Sequence, residues 1–478
     1  MTMDANRNSK TQLLRPQELR VVTGSDDGTA KIWIKQKDKE WALQRSLDKH
    51  EAAVTWVDVS KSGAVLTTSS DKTIKVWNDA GDFQLSLPKR QPRDLKELRE
   101  FDEVSQPDAA ASARDQKVRH PWQGHQDIVT RATWRKPKDD QTTDEFIVSC
   151  GDDGYAAVWK LPKQEVQAHG HTHKQHIAFD AQRASCVAVL HDENVGHSKW
   201  KPVVAAAFSP NNQQRILTAS HDRTCIIWSP SCFTTRASAQ PGGGGLVIPR
   251  IGNNTSMSDN RQHMGPIWSA EWDPSEHSDS KHILTASRDC TAKLWDVSVP
   301  MCEQTYRDEE MTDEDFCLGA NFLPQGVHGN CIFVWSIDGM VRVYDREAPG
   351  NKAIKRIDEH KGKGAVWHAT SNKAGDTILT CSHDMTSVLF DLRKNEVRKR
   401  FNRHTGILWH ASFSPCEEYV ITCSEDKTAQ IHYIVSDSNK DEELRSKEPG
   451  GRHTAAVTTA AWFPHNATNE RRQVTRAL

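Results

Sequence analysis

Short apolar stretches alternate with polar turns along most of the chain. The segments RILTASHDRTCIIW (215–228), HILTASRDCTAKLW (282–295) and TILTCSHDMTSVLF (377–390) each consist of an apolar or β-branched run, a polar turn and a second apolar run. Runs of this kind between polar turn residues are typical of paired β-strands. The pattern therefore predicts β-hairpins, and its recurrence predicts a repeat architecture.

The turn of each predicted hairpin contains an aspartate six residues before an aromatic residue or a histidine. This spacing occurs eight times: Asp27 to Trp33, Asp71 to Trp77, Asp153 to Trp159, Asp222 to Trp228, Asp289 to Trp295, Asp338 to Tyr344, Asp384 to Phe390 and Asp426 to His432. Eight copies of one spacing indicate one structural unit used eight times.

A further apolar strand that opens with a histidine precedes most of these hairpins. In five copies it runs nine positions to an apolar residue: His50 to Val59, His125 to Trp134, His263 to Trp272, His404 to Phe413 and His453 to Trp462. Looser copies begin at His197 and His360, and the sixth copy has no such histidine. The first copy lacks this strand, whereas the last segment, HTAAVTTAAWFP (453–464), supplies only this strand.

These features resemble the WD40 repeat family, on the segments VVTGSDDGTAKIW (21–33), GHQDIVTRATW (124–134) and ILTASRDCTAKLWD (283–296). The resemblance covers residues 21 to about 464 and implies an all-β fold, a β-propeller with four-stranded antiparallel blades. We expect eight blades, because the first and last copies together complete one blade and close the ring with the N- and C-terminal strands. Seven blades, with the sixth copy outside the ring, are the alternative.

The resemblance also implies a structural role for the repeat aspartates. In the family, the entering histidine, a hydroxyl residue, the aspartate and the tryptophan form a hydrogen-bonded tetrad. The residues at these positions are His50, Thr67, Asp71 and Trp77; His125, Ser149, Asp153 and Trp159; His197, Thr218, Asp222 and Trp228; and His263, Thr285, Asp289 and Trp295. The same residue types form hydrolytic triads, but repetition of one geometry favours a brace in each blade.

The sixth copy departs most from this pattern. It has Val334 in the hydroxyl position and Tyr344 in place of the tryptophan. We therefore expect its blade to be the softest, or to be held by a neighbour.

Two other positions of the repeat are candidates for protein binding in the family's geometry. The fifth residue after the entering histidine lies near the mouth of the central channel, and the residue before the repeat aspartate projects from the same face. The aromatic, histidine and arginine side chains at these positions are Trp268, Trp367, Trp409, His221, Arg288 and His383. Aromatic anchors beside charged groups are typical of protein-binding hot spots. The alternative is that the tryptophans pack between blades.

Net charge and the lengths of the apolar stretches argue against nucleic-acid binding and against membrane insertion. The net charge is −2, so no overall field attracts nucleic acid or anionic lipid, and we find no strong nucleic-acid signal. The amino end has no apolar core of signal-peptide length, and no stretch is apolar for the length of a membrane span. We expect a soluble intracellular protein without membrane insertion, in the cytoplasm, with the nucleus as the alternative.

The cysteines are consistent with a reducing compartment. Three of the eleven share one repeat position, three residues before the aspartate, and the residues found there are Cys150, Cys381, Cys423, Gly24, Thr68, Ala219 and Ala286. A position shared by these types requires a small buried side chain, so we interpret the thiols as packing groups.

We expect a single propeller at 21–464, a disordered tail at 1–20, a tail at 465–478 and insertions at about 88–120, 161–196 and 229–260. The second insertion contains His169, His171, His173 and His176, which are candidates for a zinc, copper or nickel site. No cysteine or carboxylate lies at ligand spacing beside them, and a polar loop with incidental metal affinity is the alternative. No cofactor is expected.

The sequence thus predicts a non-catalytic scaffold, a monomeric propeller that binds protein partners in a multi-protein complex. It contains no phosphate-binding glycine loop and no nucleophile elbow. One alternative is a substrate receptor of a cullin-RING ubiquitin ligase, because FDLR (390–393) resembles the ending by which some WD40 proteins bind the ligase adaptor, with Arg393 as the docking residue. An enzyme or metal-binding protein would depend on the histidine loop alone.

Overall fold

The computed structural model of the protein describes residues 18–36, 40–88, 124–136, 144–163, 178–191, 197–210, 215–229, 246–251, 262–274, 281–298, 301–324, 330–348, 352–435, 441–444 and 451–464. Within these ranges the regular secondary structure is entirely β-strand. The strands form eight four-stranded antiparallel sheets, which we number as blades 1 to 8.

Blades 1 to 4 come from the two ends and the first half of the chain. Blade 1 contains β1 (Glu18–Ser25), β2 (Ala30–Gln36), β3 (Ala42–Leu47) and β32 (Val457–Trp462). Blade 2 contains β4 (Val54–Val59), β5 (Val65–Ser69), β6 (Ile74–Trp77) and β7 (Phe83–Leu87). Blade 3 contains β8 (Val129–Trp134), β9 (Asp144–Gly151), β10 (Ala156–Pro162) and β11 (Ser185–Val189). Blade 4 contains β12 (Val203–Phe208), β13 (Ile216–Ser220), β14 (Cys225–Ser229) and β15 (Leu246–Ile251).

Blades 5 to 8 follow in chain order. Blade 5 contains β16 (Ile267–Trp272), β17 (His282–Ser287), β18 (Ala292–Asp296) and β19 (Met301–Tyr306). Blade 6 contains β20 (Cys317–Phe322), β21 (Cys331–Ser336), β22 (Val341–Asp345) and β23 (Lys355–Ile357). Blade 7 contains β24 (Val366–Ser371), β25 (Thr377–Ser382), β26 (Ser387–Asp391) and β27 (Glu396–Phe401). Blade 8 contains β28 (Leu408–Phe413), β29 (Tyr419–Ser424), β30 (Ala429–Tyr433) and β31 (Asp441–Glu443).

The sheets are arranged in a closed ring with one strand of each blade innermost. These inner strands are β4, β8, β12, β16, β20, β24, β28 and β32, and each contacts the next around the ring. β32 contacts both β28 and β4, and it pairs antiparallel with β1. The predictions of an eight-bladed propeller and of closure by the two terminal strands are confirmed.

The hydrophobic core is divided among the gaps between blades. Eight clusters of buried side chains each combine residues of two neighbouring blades. The middle strands are buried on both faces, as in β5, where all five residues are buried. The outer strand β27 instead alternates between exposed and half-buried positions along most of its length. Burial on both faces explains why the second strand of a repeat is almost continuously apolar in sequence.

Several predicted boundaries fall at the limits of the described residues. Positions 1–17, 465–478 and most of the three predicted insertions lie outside them. β1 begins at Glu18, three residues before the expected start of the propeller. Two predicted insertions include the outermost strands β11 and β15, and β11 is partly exposed along its whole length. An outer strand exposed in this way has no clear apolar alternation to reveal it in the sequence.

The tetrad of blade 2 is a continuous chain of hydrogen bonds. His50 Nδ1 lies 2.8 Å from Asp71 Oδ2, His50 Nε2 lies 2.8 Å from Thr67 Oγ1, and Trp77 Nε1 donates to the same hydroxyl at 3.1 Å. Because a carboxylate only accepts, Nδ1 donates to Asp71 and Nε2 accepts the hydroxyl proton of Thr67. A neutral imidazole therefore satisfies every member of the chain.

The same chain recurs in other blades. It joins His125, Ser149, Asp153 and Trp159; His197, Thr218, Asp222 and Trp228; His263, Thr285, Asp289 and Trp295; and, across the chain ends, His453, Thr23, Asp27 and Trp33. Blades 7 and 8 keep the histidine, hydroxyl and aspartate but have Phe390 and His432 in place of the indole. The tetrad thus locks the turn of each of these blades to its strands.

The turn held by the tetrad is conformationally demanding. The residue after each aspartate has a positive φ: Gly28, Gly154 and Gly339 in three blades, and Lys72, Arg223, Cys290, Met385 and Lys427 in the others. For a residue with a Cβ, a positive φ costs roughly 1–2 kcal/mol. In blade 2 the second oxygen of Asp71 accepts bonds from the backbone N–H and the hydroxyl of Thr73, at 2.9 and 2.6 Å. The aspartate thereby stabilises a turn that most side chains disfavour.

Blade 6 is held by ion pairs instead of a tetrad. Arg342 on β22 is buried, and its guanidinium donates to Ser336 Oγ at 2.7 Å and to the Asp338 carboxylate. Its Nε lies 3.4 Å from Asp308 Oδ2, and Arg356 donates to both oxygens of Asp308 at 2.9 Å. The sequence left two alternatives for the sixth blade, that it is the softest or that it is held by a neighbour, and these contacts with Asp308 favour the second. This network of ion pairs connects the turn of blade 6 to its strands and to Asp308, which follows the outer strand of blade 5.

Replacing the hydroxyl of a tetrad should cost more than replacing its indole. Thr285→Val leaves both Trp295 Nε1 and His263 Nε2 without partners, so we expect a loss of about 2–4 kcal/mol in the free energy of unfolding. Trp295→Phe, which reproduces the arrangement of blade 7, keeps the pair between Thr285 and His263 and should cost less. Urea unfolding of both variants measures the difference. Equal losses would contradict the central position of the hydroxyl in the tetrad.

The tetrads should also make the fold sensitive to acid. Burial lowers the pKa of His50, His263 and His453 below 6.5, although the bonded aspartates oppose this. Burial alone would raise the pKa of the aspartates, but hydrogen bonds from the histidine and the neighbouring threonine outweigh it. The pKa of Asp71 lies well below 3.8, and that of Asp384 is about 2.

We therefore expect the free energy of unfolding to fall in two stages on acidification. As the pH drops below 6.5, the unfolded histidines bind protons that the native ones do not. Below 3.8, unfolded aspartates protonate before the native ones, which lose their charge only near their lowered pKa values. Urea unfolding at a series of pH values measures both stages. Stability that rises on acidification through 6.5 would be inconsistent with neutral tetrad histidines.

Candidate functional site

The face of the propeller that carries the tetrad turns, which we call the tetrad face, also carries the predicted binding residues. In every blade the second residue of the inner strand is a β-bulge that is left out of the pairing register. These bulge residues are Thr55, Thr130, Val204, Trp268, Leu318, Trp367, Trp409 and Thr458, and we call them the mouth row. A β-bulge changes the direction of the side chain at the bulged residue. The same bulge in every blade therefore sets the position of the mouth-row side chains.

The residue before each repeat aspartate is tied to the mouth row by the backbone. In all eight blades its N–H donates to the carbonyl two residues before the bulge, as Arg288 does to Pro266 at 2.9 Å and His383 to Ala365 at 2.9 Å. The two rows that the sequence singled out therefore lie at the same end of each blade. Arg288 and His383 are exposed there.

The mouth row differs between the two sides of the ring. In blades 1 to 3 the bulge residue is a threonine that donates to the inner strand of the next blade: Thr458 to Val54, Thr55 to Val129 and Thr130 to Val203, at 3.3, 2.5 and 2.7 Å. Blades 5, 7 and 8 have tryptophan at this position. One side of the mouth is therefore closed by interblade hydrogen bonds, and the other is lined by indoles.

The three tryptophans form two separate groups. Trp367 and Trp409 are half-buried with ring centroids 5.2 Å apart. Trp268 is 39% exposed and contacts the His221 ring at 4.7 Å across the gap between blades 4 and 5. Leu318 of blade 6 separates the two groups in the row. Of the three indoles, Trp268 is therefore the one that presents the most surface to a partner.

Other apolar side chains of this face were not singled out by the sequence reasoning. Trp200 is 62% exposed in the segment before β12, Met264 is 75% exposed directly after the tetrad His263, and Met385 is 44% exposed directly after Asp384. Comparison of the repeats could have found the two methionines, because the corresponding positions of other blades carry polar residues such as Glu51 and Lys72.

Charge is distributed unevenly over the tetrad face. The acidic positions before the repeat aspartate are Asp26, Asp152 and Glu425, in blades 1, 3 and 8, whereas His221, Arg288 and His383 occupy blades 4, 5 and 7. Burial and a neighbouring carboxylate raise the pKa of Asp26 and Asp152. Burial, followed by the nearby Lys201, lowers the pKa of His221. The exposed apolar residues thus lie on the less acidic side.

Comparisons with known proteins are consistent with the β-propeller fold. A family model described as WD domain, G-beta repeat matches residues 8–33, 41–78, 184–229, 256–296 and 395–432. The chain contains WD40 repeats. The matched segments end in blades 1, 2, 4, 5 and 8, and the other three blades have the same four-stranded WD40 architecture.

Individual WD40 relatives are distant. The ribosome biogenesis protein YTM1 of Kluyveromyces lactis is 25% identical over 44% of this chain and 52% of its own length. The nuclear distribution protein PAC1 of Arthroderma otae is 22% identical over 60% and 59%, and the guanine nucleotide-binding protein subunit beta of Oryza sativa subsp. japonica is 23% identical over 59% and 60%. The chain thus spans between half and three fifths of these relatives.

A solved structure supports the fold. The computationally designed Ika8 protein is similar over 87% of this chain and 93% of its own, with a TM-score of 0.55 at 17% identity. This likeness concerns the fold alone.

The sequence also predicts two other sites, the histidine loop and the docking candidate Arg393. His169, His171, His173 and His176 lie outside the described residues. Among the residues that are described, no group of three or more His, Cys, Asp or Glu side chains could hold a metal ion. Arg393 is 53% exposed and pairs with Asp376 at 3.0 Å.

The tetrad of blade 3 also has the composition of a hydrolytic triad, His125, Ser149 and Asp153. Ser149 is fully buried, and its hydroxyl oxygen accepts the Trp159 N–H at 2.9 Å. A substrate cannot reach a nucleophile in that position.

The described part of the chain also contains no helix that is both long and apolar enough to span a membrane.

Blade 6 breaks the rule that the position three before the aspartate holds a small residue. Its residue there is Trp335, which is buried and pairs in register with Gly319 of the inner strand. A Cβ at Gly319 would lie 2.1 Å from the indole. The ring therefore occupies the space that the inner-strand side chain fills in other blades. The sequence signal was the pairing of a tryptophan at a small position with a glycine on the neighbouring strand.

The size of Trp335 should decide whether Gly319 can be replaced. Gly319→Ala should lower the free energy of unfolding by about 1–3 kcal/mol, because the indole must move out of a packed position against His368. In a Trp335→Ala background, where the position is small as in the other blades, the same change should have little effect. A double-mutant cycle by urea unfolding measures this coupling. Additive losses would contradict direct packing of the two residues.

Proposed function

We propose that this WD40 protein is a non-catalytic interaction scaffold that binds a partner segment on the tetrad face, on the side formed by blades 4, 5 and 7. The observation that carries the proposal is the concentration of exposed apolar side chains there: Trp200, Met264, Trp268 and Met385. Among the residues that the structure describes, the other exposed large hydrophobic side chains are Phe83, Met301, Ile354 and Val435, which lie in four different blades on or beside outer strands or at the blade end away from the turns. Clustered apolar surface indicates interaction, whereas single exposed residues need no explanation.

The chemistry of the face suggests the character of the partner. Exposed tryptophan and methionine provide anchors for an apolar side chain. Arg288 supplies a positive charge beside them, and His221 and His383 add imidazole rings that can form hydrogen bonds, so an apolar segment flanked by acidic residues would fit best. Arg288 is also held 5.5 Å above the Phe316 ring, which fixes part of the surface before binding.

The family context agrees with a role in assemblies. WD40 propellers typically mediate protein–protein interactions and are typically non-enzymatic. The relatives include a subunit of a guanine nucleotide-binding protein and a ribosome biogenesis protein. We propose that this chain likewise works as a propeller within a multi-protein complex. We do not extend the proposal to the ubiquitin-ligase adaptor, because Arg393 is engaged by Asp376 and nothing around it favours that role.

The partner-binding proposal can be tested with matched pairs of exposed residues. The double variant Trp200→Ala with Trp268→Ala should lose partners at least about tenfold in affinity purification with quantitative mass spectrometry, because hot-spot anchors are removed. The control is Phe83→Ala with Met301→Ala, which deletes exposed apolar residues from outer strands and should retain the same partners. Circular dichroism checks the fold of all chains. Unchanged partners in the first variant, or equal loss in both, would contradict the proposal.

A further inference from the structure

A second group of side chains surrounds the central channel directly below the mouth row. They are the residues that follow the bulge in each inner strand: Thr459, Trp56, Arg131, Ala205, Ser269, Gly319, His368 and His410. Together with Trp335, which covers Gly319, we call them the channel belt. Nothing in the sequence pattern marked them as a group.

Contacts between blades that are not neighbours place the belt around the channel. Trp56 of blade 2 and His410 of blade 8 have ring centroids 6.2 Å apart, although blade 1 lies between them. Arg131 of blade 3 and Glu271 of blade 5 approach to 3.8 Å past blade 4. These side chains therefore converge inside the ring.

The belt forms a continuous arc of rings that ends at a cation. The successive ring-centroid distances are 6.0 Å from Trp335 to His368, 4.5 Å from His368 to His410 and 6.2 Å from His410 to Trp56. The Arg131 guanidinium carbon then lies 4.4 Å from the Trp56 ring centroid. The arc spans blades 6, 7, 8, 2 and 3.

Many polar atoms of this arc are buried without a hydrogen-bond partner. They are Trp56 Nε1, Arg131 Nε, Trp335 Nε1, His368 Nδ1, His410 Nδ1 and Thr459 Oγ1. Trp335, His410 and Thr459 are only 5, 8 and 2% exposed. Buried groups without partners are rare in folded proteins and point to a bound molecule or ion. The tetrad indoles of blades 1 to 5, by contrast, all donate to a hydroxyl within the protein.

Four of these six unpaired atoms, those of Trp56, Arg131, Trp335 and Thr459, favour a negative occupant, whereas the nitrogen of a neutral histidine can donate or accept. Two indole N–H groups and a guanidinium can only donate, and a hydroxyl can donate as well. Arg131 is a permanent cation, and its distance of 3.8 Å to Glu271 is too long for a hydrogen bond. Burial, followed by the charge of Arg131, lowers the pKa of His368 to about 4, so the histidines add no charge at neutral pH. A cation would be repelled by Arg131, and an apolar group would leave the donors unpaired.

The channel is open to small solutes at this depth. The side chains of Arg131 and Glu271 retain 27% and 34% of their exposure although both lie inside the ring. Although the Glu271 side chain is partly exposed, desolvation raises its pKa, and the charges of Arg131 and Lys136 oppose this shift. An anion near Arg131 therefore competes with the Glu271 carboxylate for the guanidinium.

We propose that the channel belt binds a small oxoanion, with Arg131, Trp56 and Trp335 as its donors. The anion is either free in solution or the carboxylate of a side chain that a bound segment inserts through the mouth. The site is distinct from the tetrad face, and its test requires no partner protein.

Indole N–H resonances report on the site directly. The chain contains 16 tryptophans, so selective ¹⁵N-tryptophan labelling gives a small set of signals. Trp56→Phe and Trp335→Phe assign the two belt signals by their loss. The probes are inorganic phosphate, a glycine pentapeptide with a central glutamate and the same peptide with glutamine. We expect phosphate or the glutamate peptide, but not the glutamine peptide, to shift the belt signals. A response to phosphate indicates a free anion, and a response to the glutamate peptide alone indicates an inserted side chain.

Two substitutions separate binding from folding. Arg131→Met should weaken anion binding by about tenfold or more, and Trp335→Phe should weaken it severalfold by removing one N–H donor. Because Trp335 Nε1 has no partner in the protein, Trp335→Phe breaks no hydrogen bond and should lower the urea midpoint of the anion-free chain less than the loss of a hydrogen-bonded tetrad indole does. The matched control Trp295→Phe removes a tetrad indole, and it should lower the midpoint without affecting binding. Belt signals that stay unmoved by every probe, or shifts that persist unchanged in both Arg131→Met and Trp335→Phe, would overturn the proposal and leave water as the occupant.

Discussion

The structure depends on one chain of hydrogen bonds, from an indole N–H to a hydroxyl, from the hydroxyl to a neutral imidazole, and from the imidazole to a carboxylate. The chain connects the third strand of a blade, its second strand, the segment that enters the inner strand and the turn between the middle strands. It also stabilises a turn whose next residue has a positive φ in every blade. Because all members are buried, the brace contributes only when each has its partner. The constant spacing of the repeat residues in the sequence follows from that requirement.

Closure of the ring extends the same constraint to the whole molecule. No blade has a core of its own, since the eight hydrophobic clusters lie between blades. A missing blade would therefore expose two apolar faces. Blade 1 is completed by β32 and by the tetrad of His453 with Thr23 and Asp27, which joins residues more than 400 positions apart. Blade 6 uses Arg342 and two aspartates in place of the tetrad, so a different set of bonds meets the same geometric need.

Both candidate binding regions arise from one irregularity of this scaffold. The bulge at the second residue of each inner strand lets one side chain face the mouth while the next faces the channel. Threonines at the bulge seal one side of the mouth by bonding to the next blade, and tryptophans leave the other side lined with rings. The residues after the bulge form the channel belt, which places hydrogen-bond donors without partners inside the ring. The backbone bulge is the same in every blade, but the side chains at these positions differ. The two candidate binding regions therefore come from differences between the repeats.

The sequence by itself determined the repeat and the closing strand and, through the family resemblance, the tetrads, because those features depend on short spacings within one unit. It favoured eight blades and left seven as the alternative. It also located Trp268 and His221 on one face, although not their direct contact. Only the tertiary structure decided that Trp56 meets His410, that Arg131 approaches Glu271 and that Trp335 occupies the space above Gly319. These residues belong to different blades or different strands, and their meeting depends on the curvature of a closed ring. A periodic pattern encodes what each blade repeats, whereas the channel is built from the positions at which the blades differ.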